Sequence, residues 1–101
     1  MGKVIFSVQY EIDASNREEY FNAIKELRTF LKADGLVSYT VYEVKGKANH
    51  FEEVYVFNSK EAYDNYDDGE NERMSILISK IEDLKVSGTT KYNTLYELVF
   101  E

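Results

Sequence analysis

The stretch HFEEVYVFNSKEAYDNY, residues 50–66, decides the fold because its period changes halfway along. From His50 to Phe57 the side chains alternate. Glu53, Tyr55 and Phe57 share one face of a strand; His50, Glu52, Val54 and Val56 share the other. Beyond Ser59, a residue suited to cap a helix, Tyr63 and Tyr66 fall three apart on one helical face. The pattern predicts a strand over 50–58 that runs into a short helix over 60–66.

Working outward, LVSYTVYEV (36–44) is rich in β-branched and aromatic residues and reads as a strand. The polar loop KGKAN joins it to 50–58 as a hairpin. Upstream, KVIFSVQYEI (3–12) alternates, with Val4, Phe6, Val8, Tyr10 and Ile12 on one face. Ser15 and Glu18 have capping-box spacing. Tyr20, Ile24, Leu27 and Leu31 follow at helical intervals, with Phe21 and Phe30 beside them and Gly35 past the end. They predict a helix over 16–33. Met74, Leu77, Ile78 and Ile81 predict another over 71–84; VSGTT is a turn, and KYNTLYELVF (91–100) is a last strand. The order β-α-β-β-α-β, with one helical insertion, predicts a ferredoxin-like α+β domain: an antiparallel sheet with helices on one face.

Three segments resemble the antibiotic biosynthesis monooxygenase-like family of the dimeric α+β barrel superfamily. GLVSYTVY (35–42) is similar to that family's second strand, HFEEVYVFNSKEAY (50–63) to its third strand and following helix, and SNREEYFNAIKEL (15–27) to its first helix. Residues 1–101 then form one such domain. The resemblance implies a homodimer whose two sheets face each other as a barrel, with a ligand pocket in each subunit between sheet and helices. Phe57 takes the place of a family tryptophan facing that pocket. In haem-degrading relatives the position of Val8 is an asparagine that contacts the ligand, and a histidine stands where Glu72 or Arg73 stands here. Tyr66 replaces a histidine often found in the short helix. These departures point away from haem chemistry, and no cofactor is expected.

By strand phase, Phe6, Val8 and Tyr10 face the helices together with Tyr55 and Phe57, while Tyr63 and Tyr66 return over the same side. These seven are the candidate ligand-binding residues. With Tyr39 they can form a flat apolar slot whose hydroxyls orient a phenol or quinol; alternatively the rings only fill a small core and a dimer interface. No catalytic residue is assigned. Glu53 is the only carboxylate in phase with the slot, and a solvated strand end would weaken it as a base. His50 falls beside the hairpin on the opposite face, as an exposed histidine rather than a general base or metal ligand. DNYDDGENE (64–72) fails as an EF-hand loop, with Tyr66 and Ser75 at positions that require ligands. It reads as a solvated loop, and no metal is expected.

Composition bounds the rest. One hundred and one residues make one domain, with one core to fill. The net charge of −7 lacks any basic stripe for nucleic acid or an anionic membrane. The absence of cysteine excludes disulfides and thiolate chemistry. No apolar run approaches membrane-spanning length, and the alternating start is unlike a signal sequence, so a cytoplasmic location is expected. Two functional readings follow from the resemblance. One is a small-molecule-binding monooxygenase (an oxidoreductase) that oxygenates an aromatic or quinol without a cofactor. The other is a non-catalytic dimeric binding or interaction module of the same fold.

Overall fold

Val4, Val8 and Tyr10 lie along one face of the first strand and are buried, and the intervening Ile5, Gln9 and Glu11 are not. That alternation fixes which side of the sheet the helices cover. The computed structural model describes residues 2–66 and 71–100. Its elements are β1 (Val4–Glu11), α1 (Arg17–Phe30), β2 (Leu36–Glu43), β3 (His50–Phe57), α2 (Lys60–Asp64), α3 (Glu72–Leu84) and β4 (Lys91–Tyr96). The four strands form one antiparallel sheet in the order β2-β3-β1-β4, the ferredoxin-like arrangement.

The core lies between sheet and helices. Phe51, Glu53, Tyr55 and Phe57 of β3 are buried, alternating with half-exposed neighbours. Against them pack Tyr20, Ala23, Ile24 and Leu27 of α1 and Met74, Leu77, Ile81 and Leu84 of α3. Both sets recur at intervals of three and four residues, one stripe per helix. The opposite sheet face carries Ile5, paired across the ladder with Val56 on one side and Leu95 on the other. No helix among the described residues is long and apolar enough to cross a membrane.

Several boundaries differ from the sequence expectation, each for a local reason. Ser15 and Glu18 do not form a capping box. The Ser15 hydroxyl donates to Asp13 Oδ1 at 2.7 Å, as does the Ser15 backbone N–H at 2.9 Å. Asp13 thereby caps a short 3-10 turn over Ala14–Asn16, and α1 begins at Arg17 behind Asn16, which makes no side-chain cap. The Ser59 cap does form, its Oγ accepting from Ala62 N at 3.1 Å, and the structure adds a cap at α3, where Asn71 Oδ1 accepts from Met74 N at 3.0 Å. The last strand stops at Tyr96 rather than 100. Its partner β1 begins at Val4, opposite Tyr96, and one more rung joins Glu97 N to Lys3 O at 2.8 Å. Past that rung β1 offers Leu98, Val99 and Phe100 nothing to pair with. The EF-hand alignment weighed for 64–75 runs through residues 67–70, which lie outside the described residues.

Candidate functional site

Two adjoining cavities open between the sheet and the helices. The larger, about 430 Å³, is lined by Phe6, Tyr55, Phe57, Tyr63, Asp64 and Tyr66. The smaller, about 210 Å³, is bounded by Phe6, Val8, Glu53, Tyr55 and Tyr92 from the sheet. Leu27, Ile78, Ile81, Glu82 and Lys85 close it from the helix side. Phe6 and Tyr55 belong to both, so the two adjoin across these rings and are together called the slot.

Strand and helix geometry assemble the aromatic half. Tyr55 and Phe57, two apart on β3, are parallel to within 5° with ring centroids 6.4 Å apart. Helix α2 carries Tyr63 back over them, edge-on to Phe57 at 5.5 Å, and Tyr66 just beyond it approaches the same ring at 5.3 Å. Phe6 from the neighbouring strand completes the wall, 5.7 Å from Tyr55. Six of the seven residues expected around a ligand therefore line the slot: Phe6, Val8, Tyr55, Phe57, Tyr63 and Tyr66. Phe57 is only 1% exposed and serves as a back wall rather than an open surface.

Tyr10 is placed differently. Its side chain is fully buried and lines neither half of the slot. Its hydroxyl donates to Glu53 Oε2 at 2.7 Å, and Tyr39 donates to Glu53 Oε1 at 2.6 Å. The Tyr10 and Tyr20 oxygens are 2.7 Å apart. Because Tyr10 spends its one proton on the carboxylate, Tyr20 is the donor in that pair. Burial, and then the adjacent Glu53 charge, raise the Tyr10 and Tyr39 hydroxyls well above the ordinary tyrosine range. Tyr20 is raised as well, chiefly by burial.

Glu53 is 5% exposed, not solvated as a strand end would be. Sequence phase puts Glu53 on the slot face and misses what holds it there. The Tyr39 register opposite Tyr55 was the available signal, since cross-strand partners share a face. Nothing in the spacing points to Lys85. Its side chain is 7% exposed, with Nζ 2.6 Å from Glu82 Oε1 and 4.3 Å from the centre of the Tyr10 ring.

The remaining candidates lie elsewhere. His50 sits on the opposite sheet face, with Nδ1 2.9 Å from Ala48 O. Arg73 is bidentate to Glu26 on the helix surface. Among the described residues no three His, Asp or Glu side chains converge as a metal site.

The fold is that of the antibiotic biosynthesis monooxygenase-like proteins. A Caulobacter crescentus protein provisionally named an antibiotic biosynthesis monooxygenase superposes with a TM-score of 0.78 at 13% identity, over 97% of this chain and 92% of its own. SnoaB, a cofactor-independent oxygenase from Streptomyces nogalater, superposes with a TM-score of 0.70 at 14% identity, over 92% of this chain and 90% of its own. A conserved Bacteroides thetaiotaomicron protein of unknown function does so with a TM-score of 0.74 at 18% identity, over 95% and 98%. No family model matches the sequence, and no curated protein does.

Proposed function

We propose that this chain is a small-molecule-binding protein of the monooxygenase type. It takes a flat hydroxylated aromatic or quinol into the slot and oxygenates it with dioxygen and no cofactor, as a cytoplasmic homodimer. The observation that carries the reading is the slot itself, walled by Phe6, Tyr55, Phe57, Tyr63 and Tyr66 between sheet and helices. The cofactor-independent oxygenase among the proteins of this fold supports the reaction class. In such chemistry the deprotonated substrate gives its own electrons to oxygen. The protein orients the ring, accepts the proton and keeps water away.

The homodimer is supported by the apolar end of the uncovered sheet face, where Ile5 neighbours Val56 and Leu95. The near-complete covering of Phe57 by neighbouring rings favours a second reading, a binding module without turnover.

Oxygen uptake with 1,4-naphthohydroquinone, alongside calorimetric titration of the same compound under nitrogen, separates the two. Binding with protein-dependent uptake supports the oxygenase. Binding without uptake leaves the module, and absence of binding removes the slot as a site for this class of ligand.

A further inference from the structure

Glu53 stands at the narrow end of the slot, 5% exposed, with a neutral hydroxyl bonded to each of its oxygens. A carboxylate presents about four lone-pair directions. Tyr10 and Tyr39 occupy one on each oxygen and fix the plane of the group from two different strands. Both tyrosine hydroxyls donate to it, so the carboxylate is the acceptor of this cluster. The same cavity is lined by Lys85, whose ammonium is balanced by Glu82. Leu27, Ile78 and Ile81 supply an apolar wall. A proton acceptor and a cation thus border one cavity.

A neutral hydroxyaromatic suits that arrangement. When its O–H bond breaks, the electron pair stays on the ring oxygen and the proton passes to a Glu53 oxygen. The new oxyanion then lies in a cavity with an ammonium on its wall. A ligand that arrives already anionic meets two carboxylates, Glu53 and Glu82, against one ammonium, and is disfavoured.

We propose that Glu53 is the proton acceptor for a neutral phenol, naphthol or quinol held in the slot, that Lys85 stabilises the resulting oxyanion, and that Tyr10 and Tyr39 are positioning residues for the carboxylate. The inference rests on the slot being a ligand site and adds the identity of the base and the charge of the ligand.

The test uses 2-naphthol, a far stronger acid in its excited state, which fluoresces at different wavelengths as naphthol and as naphtholate. Fluorescence anisotropy reports whether it is bound, independently of turnover. Bound to the unaltered protein, it should emit mainly as naphtholate. Glu53→Gln should bind it with the naphtholate band reduced about 10-fold or more, and Tyr39→Phe, which keeps the carboxylate, should retain the band. The anion 2-naphthoate should bind at least about 10-fold more weakly than 2-naphthol, the equivalent of about 1.4 kcal/mol. Bound naphthol that emits only in its neutral form in the unaltered protein overturns the proposal even if Glu53→Gln fails to fold. So does a naphtholate band unchanged in a folded Glu53→Gln. Failure of 2-naphthol to bind at all is a different result: it removes the slot reading beneath both proposals.

Discussion

Tyr10, Tyr20 and Tyr39 keep their protons at a pH where ordinary tyrosines lose them, because burial and the Glu53 charge both oppose ionisation. In the unfolded chain the same hydroxyls ionise near the ordinary value of 10.0. Above that pH the folded state therefore holds more protons, and stability falls as pH rises; below it the contribution is fully present. Urea unfolding followed by circular dichroism should show this loss beginning near pH 10, by about 1.4 kcal/mol per pH unit for each tyrosine. Tyr39→Phe should flatten the slope by one tyrosine's share. It should also cost about 1–3 kcal/mol at neutral pH, because Glu53 loses a donor while still buried. Phe57→Ala removes a fully covered ring and should destabilise by about 3–5 kcal/mol. Affinity for 1,4-naphthohydroquinone must therefore be compared under conditions where both proteins are folded, and should fall by no more than a few kcal/mol. At this scale strand period made the slot face legible, down to Glu53 itself. It did not show that Tyr10 gives its hydroxyl to Glu53 and lines neither cavity. That depends on the distance between two strands and a helix, which no single-strand pattern contains.

The link from α1 to β2 shows how one element is seated on another. Gly35 has φ +84° at a turn closed by Leu36 N to Ala33 O at 3.0 Å, and a Cβ there would stand 2.3 Å from the Ala62 Cβ on α2. Gly46, in the β2–β3 hairpin, has nearly the same φ of +85° with nothing within 4 Å. Both substitutions by alanine strain the backbone, by about 1 kcal/mol. Only Gly35→Ala must also push α2 away from the loop, so it should cost at least about 2 kcal/mol more than Gly46→Ala in thermal unfolding. Equal costs would show that α2 yields easily. Element identity was legible because each run kept one period. The Ser15–Glu18 spacing misled because Asp13, two residues earlier, competes for the serine as an acceptor.

For the whole molecule, the order of elements was enough to give the sheet, since two βαβ halves interleave in few ways. What the order leaves open is how the face away from the helices is treated. If Ile5, Val56 and Leu95 meet a second copy, Leu95→Glu places a charge in that contact and should convert a dimer into a monomer by light scattering at micromolar concentration. Secondary structure should be retained, because Leu95 is 51% exposed within the single chain. A monomer mass for the unaltered protein would sink the dimer.

The strand made first ends up inside the sheet, between the third strand and the last. During synthesis, β1 can bond to β3 as soon as the hairpin has emerged, while its other flank waits for Lys91–Tyr96. Until then Val4–Gln9 presents a free edge of N–H and C=O groups, which is the kind of edge on which chains add to one another. The state in which α3 has docked and β4 has not is therefore the one in which a concentrated refolding mixture is most prone to join copies. A chain cut after residue 90, which lacks β4, should give a lower soluble yield on refolding at equal concentration than one cut after residue 97.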